Sequence, residues 1–529
     1  MTGVREASPS AEGRARPQRG PARPLRIAIV GGGMAGLGAA RVLEDARAAD
    51  PAVDWRLYED ESRFGGKVHT VRRDGFVVEG GPDSAIIEKH WPITMARRLG
   101  IGDRFEDSNE GIRKSFVFTR GRLHELPEGI ILMVPTRMVP FALSSLMSWP
   151  GKVRMGMDLV LPRGGAARGG GGAGDESLGD FVRRRLGREA LARIAEPIVA
   201  GIHAGDPEQM SVRATFPMFL EMEQKHRSLI LAMLKRRKAR QKAAAAAAAR
   251  PRPEGGPRSY FYSFKGGLQE LSDAIVASLP AERLHGGSAV RTMAPCGAGC
   301  GTYALQLADG SRVVADAVVL ATPAWASGDL LRTVAPLPAT DLSSIEYVST
   351  ATASLAFRRD QVAHDLTGFG FVVPRAENRP VMATTWSSSK FPGRAPEGHV
   401  LLRSFLGRAG IEAAAQLDDA EMTKVVRAEL REVMGIAAEP EFAQIFRWPR
   451  GMPQYRVGHV DLVDRIEAGV ARVPGVELAG GAYHGIGIGD CLREGAAAAE
   501  RALEHVRGLP EDAVPPQPSD VPAADGVAD

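Results

Sequence analysis

Three cysteines in 529 residues cannot build a disulfide framework, and they point to a reducing cytoplasm. Two of them, Cys296 and Cys300, sit in the turn "PCGAGCG". No second Cys or His pair stands beside them, so no metal is expected. The chain also lacks the ~18–20 uninterrupted apolar residues of a membrane-crossing helix, so it is not expected to span a bilayer. A formal charge of +4 is too mild to argue for nucleic acid. The one basic run, Lys235 to Lys242 in "LKRRKARQKAAAAAAARPRPEGGPR", carries no interleaved aromatics. It reads as a frayed helix end and exposed linker over 235–258 rather than a nucleic-acid patch. The N-terminal stretch 1–24 has no apolar core of a secretory signal, and 508–529 is rich in Pro and Asp. Both are expected to be disordered tails.

What remains is an ordinary globular composition, 44% apolar and 25% charged, long enough for two or three domains. "LRIAIVGGGMAGLGAARVLEDA" predicts a buried strand from Leu25, a turn over Gly31–Gly36 and an Ala-rich helix, with a second strand in "VDWRLYED". Gly31, Gly33 and Gly36 form G-x-G-x-x-G between strand and helix. The first glycine allows the tight turn, the second admits a pyrophosphate, and the third packs helix on strand. The second strand ends in Tyr58-Glu59, at about the 20-residue distance kept by the carboxylate that binds the ribose hydroxyls. Gly65-Gly66-Lys67 follows at once and suits further contact with an extended dinucleotide. Near the other end, "AYHGIGIGDC" opens a second Gly-rich turn and an Ala-rich helix. The fold class is therefore α/β, a Rossmann-like domain with α+β insertions.

Glu59-x5-Gly65-Gly66 resembles the FAD fingerprint of the amine oxidase superfamily, whose C-terminal Gly-rich turn caps the flavin end of the same cofactor. "EGGPDS", "GRLHELPEG", "GIHAGDPEQMSVRATFP", "SFKGGLQEL", "GMPQYRVGH" and "AYHGIGIGDC" occur in order between Leu25 and Leu503. Together they resemble the protoporphyrinogen oxidase and coproporphyrinogen III oxidase family, oxygen-dependent FAD enzymes of haem synthesis. The resemblance implies non-covalent FAD held at Gly31, Gly32, Gly33, Met34, Ala35, Gly36, Glu59, Lys67, Gly81, Pro82, Asp83, Ser84, Val290, Ile486, Gly487 and Ile488. It implies six-electron oxidation of protoporphyrinogen IX with O2 as acceptor and H2O2 as product, or of coproporphyrinogen III in its place. The flavin takes each hydride, so no catalytic side chain is expected. Lys89 is expected to meet a substrate propionate, and Phe369 and Phe371 of "GFGFVVP" to line the macrocycle slot. Other flavin amine oxidases, desaturases and a FAD-free escort protein of the GDI type are the rival readings.

The resemblance also implies an order of parts. FAD-binding segments occupy 25–90, 259–330 and 451–507, a helical membrane-facing domain 91–234, and a substrate-binding domain 331–450. Within the helical part, "GIILMVPTRMVPFALSSLMSW" (Gly129–Trp149) is unusually apolar. It reads either as buried core with a Pro-rich link or as a dip into one leaflet, with Lys152 and Arg154 at the headgroups. The expected location is the cytoplasm, with room for peripheral contact at the inner face of the membrane and for a homodimer.

Overall fold

The computed structural model describes residues 24–112, 114–131, 133–164, 174–248, 256–296 and 302–509. Apart from residues 24, 508 and 509, the expected tails lie outside them, as do Cys300 and 249–255 of the expected linker. The chain enters on a strand, β1 (Leu25–Val30), the glycine turn, a helix, α1 (Met34–Ala49), and a second strand, β2 (Val53–Tyr58). These join a five-stranded parallel sheet in the order Leu284–His285, β2, β1, Ala317–Leu320, Val476–Leu478. Three distant stretches of chain thus share one sheet. α1 and the C-terminal helix, α2 (Ile488–Arg507), cover one face through Leu37, Leu43, Leu492 and Ala499. Leu305, Leu331 and Ile466 cover the other. Burial on both faces is why these strands read as continuous apolar runs rather than alternating ones.

α1 and α2 cross at glycine. A Cβ on Gly495 would lie 1.8 Å from the Ala35 carbonyl oxygen, and one on Gly38 would lie 2.7 Å from that of Leu492. The helix backbones touch there, close to both N-termini.

The second sheet has seven strands. Its order is Phe442–Pro453, β3 (Tyr347–Arg358), β4 (His399–Leu406), Val381–Trp386, Gly370–Val372, Phe116–Thr119, Arg122–Glu125. The last two come from the stretch 91–234, where the sequence pattern predicts helix. Arg120 (φ 54°) and Gly121 (φ 73°) close them as a tight two-residue turn with both φ positive. The even-numbered residues of β4, Val400, Leu402 and Leu406, pack under the helix Asp419–Met434. The odd ones, Leu401, Arg403 and Phe405, face the first domain and the helical part.

The helical part closes on its own core, where Asp158 and Arg185 form a fully buried ion pair. The apolar piece Gly129–Trp149 does not make one long helix. It breaks into two short strands and the helix Met138–Leu143, and among the described residues no helix is long and apolar enough to cross a membrane. Phe141, Leu146 and Met147 turn inward, while Val139 (70%), Leu143 (80%) and Trp149 (66%) stay exposed. The two expected headgroup cations are committed to protein instead. Lys152 Nζ donates to the Ala142 carbonyl at 2.7 Å and lies over the Trp149 ring, and Arg154 donates to the carbonyls of Arg183, Arg184 and Arg185. Each satisfies acceptors left open at a helix C-terminus. The stretch after Leu234 also differs from expectation. It continues as helix to Ala248, because Ala, Lys and Arg are strong helix formers however monotonous their order.

Candidate functional site

The nucleotide turn has the geometry its glycines require. Gly31 sits at φ +105°, and a Cβ there would lie 2.8 Å from the Ala321 carbonyl oxygen. A Cβ on Gly36 would lie 1.8 Å from that of Gly31. Gly33 differs, because nothing lies within 4 Å of its missing Cβ. It is also the N-cap of α1 without a side-chain cap, so the helix offers free N–H groups to that open space. Gly65 N–H donates to the Gly32 carbonyl at 2.8 Å, which folds the Gly65-Gly66 turn over Gly33. Glu59 accepts from Gly32 N–H and from Glu61 N–H, which fixes its carboxylate at the mouth of the turn. The strand Val290–Pro295 starts beside it, since Ser288 N–H donates to the Glu59 carbonyl at 2.7 Å.

Lys67 keeps accessible surface, yet burial pulls its ammonium pKa down. The turn that carries Lys67 lies over Gly33, since a Cβ on Gly66 would lie 3.1 Å from the Gly33 Cα, and its charge is felt at Cys491. Lys67 has no hydrogen-bond partner among the described residues. An unpaired cation on the turn that lies over Gly33 is complementary to a pyrophosphate.

The second Gly-rich turn closes the same region. Gly485 (φ 136°) donates its N–H to Tyr455 Oη at 2.9 Å, and that hydroxyl donates to the Gly481 carbonyl. Gly487 caps α2 without a side-chain bond, and Ile488 begins the helix. Ile486 stands between them, half-buried. Burial pushes the Cys491 thiol up to about 11, which keeps it protonated.

The stretch Glu79–Ser84 is gripped from the seven-stranded sheet. The Gly80 carbonyl accepts from Thr352 Oγ1, Arg403 Nη2 and Trp448 Nε1, and the Gly81 carbonyl accepts from Arg403. Lys390 Nζ donates to both Asp83 oxygens at 2.9 and 3.0 Å and to Ser84 Oγ at 3.1 Å. Burial pushes the Asp83 carboxyl up, but Lys390 and Arg403 outweigh it and hold the group far below the usual carboxylate range. A Cβ on Gly81 would lie 1.8 Å from the Lys67 carbonyl oxygen, so this loop and the Lys67 turn touch.

The family profile described as "Flavin containing amine oxidoreductase" matches residues 34–503. The chain belongs to that family. It is an FAD-dependent oxidoreductase, and the turns at Gly33 and Lys67 suit FAD. The coproporphyrinogen III oxidase of Bacillus subtilis (strain 168) is 35% identical over 490 residues, covering 91% of this chain and 98% of that protein. The chloroplastic protoporphyrinogen oxidase of Nicotiana tabacum is 30% identical over 494 residues, covering 90% and 85%. A crystal structure from Exiguobacterium sp. 255-15 superposes with a TM-score of 0.76 at 31% identity, covering 91% of this chain and 99% of that one.

The expected substrate residues fare differently from the cofactor turns. Lys89 Nζ already meets Asp490 Oδ1 at 2.6 Å, so its charge is partnered. Phe369 is half-buried just before the inner strand Gly370–Val372, its backbone bonded to Lys114 on one side and Trp386 on the other. Phe371 is 3% exposed and belongs to the core under the helix Asp419–Met434. The structure therefore corrects Phe371: it faces away from the slot. Its neighbour Val372 faces the other way, towards Ala204 and within 3.8 Å of a Cβ placed on Gly201. Val372, Phe405 and Met452 pack with Ala204 and Met382 where this sheet meets the end of the helix Glu196–His203. Period-2 alternation contains that information, but the sequence gives no phase for it. The buried cations Lys390 and Arg403 carry no sequence signal at all.

Proposed function

We propose that the protein oxidises a porphyrinogen by six electrons, protoporphyrinogen IX to protoporphyrin IX, with O2 as acceptor and H2O2 as product. The observation that supports this is similarity over nine-tenths of the chain to porphyrinogen oxidases. Bound FAD supplies the hydride acceptor in each of three two-electron steps. The protein supplies binding, orientation and exclusion of water. Gly31–Gly36 and Lys67 hold the pyrophosphate, Glu59 the ribose, and the turn Gly485–Ile488 the flavin end. Val372, Phe405 and Met452 present an apolar wall to the macrocycle. Coproporphyrinogen III is the second reading, favoured by the 35% identity to the coproporphyrinogen III oxidase of Bacillus subtilis. Aerobic incubation with each porphyrinogen separately, followed by porphyrin fluorescence, tests both. Oxidation of neither above its spontaneous background ends the proposal.

A lipid contact belongs to the same reading. Val139, Leu143, Trp149, Val153 and Val160 are each more than half exposed on the helical part, a large apolar patch for a surface left to water. Co-sedimentation with anionic vesicles checks it, with a Leu143→Ser, Val153→Ser double variant as the comparison. Equal sedimentation of the two proteins removes the lipid contact.

A further inference from the structure

Arg403 is an electrostatic anomaly. It is 2% exposed, yet among the described residues it forms no ion pair. Its Nη2 donates to the carbonyls of Gly80 and Gly81, while its Nε has no partner. Directly across the β3–β4 register stands Ser354, 0% exposed, whose hydroxyl is also unpartnered. No neighbouring carboxylate touches it, although Asp83 and Glu79 act on it through their fields. Asp83 is answered by Lys390. Glu79 accepts from Thr70 Oγ1 and Leu268 N–H and has Arg394 at 3.7 Å. Arg403 is thus a buried cation with no carboxylate in contact with it among the described residues, held behind the loop Gly80–Ser84 by two carbonyls.

An uncompensated buried charge is strongly unfavourable. It is tolerated where the working state brings an anion to it. A hydride adds two electrons and one proton to an oxidised flavin and leaves one net negative charge on the ring. We propose that Arg403 is a positioning and redox-tuning residue: it fixes the Gly80–Gly81 carbonyls and raises the reduction potential of bound FAD by stabilising the anionic reduced ring. This rests on the reading of Gly81–Ser84 as cofactor contacts given above. Arg403 touches no reacting atom in this account and acts through the loop and its field. Asp83, one step further along that loop, opposes it, so the pair sets the potential between them.

The test is the two-electron potential of FAD in the holoenzyme, measured by anaerobic equilibration with a redox dye. Arg403→Gln keeps N–H donors for the two carbonyls and removes the charge. It is expected to shift the reduction equilibrium at least tenfold towards oxidised flavin, which is about 30 mV. Arg403→Lys keeps the charge and is expected to recover most of that shift. Asp83→Asn removes the opposing charge and moves the potential the other way. An Arg403→Gln holoenzyme with unchanged potential overturns the proposal, even if its KM rises, because the cation would then serve a substrate carboxylate. If Arg403→Gln does not fold with FAD, Asp83→Asn decides: an unchanged or lowered potential overturns the proposal. Wild-type protein that purifies without FAD would end the functional reading instead, a result distinguishable from either.

Discussion

Replacing Lys67 by Met should stabilise the empty protein and weaken the loaded one. In the empty protein the ammonium has no partner among the described residues, and the protein around it pulls its pKa down although the side chain stays exposed. Leaving a buried polar group unsatisfied costs about 1–3 kcal/mol. Lys67 keeps accessible surface, so water screens part of that cost and the low end applies, about 1 kcal/mol. Met fills a similar length without a charge, and the apoprotein Tm should rise by roughly 1 °C. In the loaded protein the variant loses a charge-assisted hydrogen bond to phosphate, worth about 1.5–3 kcal/mol. At about 1.4 kcal/mol per decade, FAD affinity should fall roughly 10- to 150-fold. The pH dependence has a definite sign. Because the folded pKa lies below the unfolded value of about 10.4, the unfolded chain holds this proton to higher pH. Apoprotein stability therefore rises as pH climbs from the lowered folded value towards 10.4, and Lys67→Met abolishes that rise. Calorimetry of apoprotein and FAD titration by fluorescence quenching read the two effects separately. A variant with lower apoprotein Tm and unchanged FAD affinity would refute the reasoning and make Lys67 an ordinary structural residue.

Three further outcomes are expected. Asp158→Asn leaves Arg185 buried with only the longer contact to Glu223 at 3.5 Å and should cost about 3 kcal/mol in urea denaturation, whereas a loss below about 1 kcal/mol would show that Glu223 alone satisfies it. Phe371→Ala should lower stability by about 3–5 kcal/mol with little change in KM, and Val372→Ala should raise KM for a porphyrinogen with a smaller loss of stability; the reverse pattern would invert the assignment of sheet faces. His459 stacks on Tyr455, and burial lowers its pKa to about 4. The unfolded chain takes up that proton near 6.5, so stability falls as pH drops from about 6.5 towards 4, and His459→Phe should flatten the slope of Tm over that range. An unaltered slope assigns the acid sensitivity to other groups.

How legible each feature was follows from how local its cause is. Gly31 needs a positive φ and Gly36 needs the absence of a Cβ, and both demands are set by residues a few positions away. The strand, turn and helix of the nucleotide site, and with them the α/β class, can therefore be read from "LRIAIVGGGMAGLGAA". Phe371 and Val372 show the opposite case. Alternation along "GFGFVVP" says that one of them faces the core, and only pairing with Thr384 and Ala383 in the next strand says which. Charged residues were the least legible. Arg185, Lys390 and Arg403 look in sequence like any solvated side chain, because Lys and Arg are seldom fully buried and their buried partners lie far away in the chain. Helix and strand in the middle of the chain were also hard to separate. "FVFTRGRLHE" is a compact hairpin set in a helical region, and the Ala-rich run after Leu234 looks like a spacer but has the composition of a stable helix.

The sheet order bears on how the molecule comes into being. β1 lies between β2, which follows it closely, and Ala317–Leu320, which emerges about 290 residues later, as the Arg26–Asp316 ion pair records. Val476–Leu478 and α2 arrive later still, and only then can Gly495 seat against Ala35. A nascent chain on the ribosome therefore carries its nucleotide turn for most of synthesis without the helix that braces it. Closing contacts of such long separation makes folding slow. Emergence of α2, rather than of the glycine motif, marks the earliest moment at which the cofactor can be gripped from both ends.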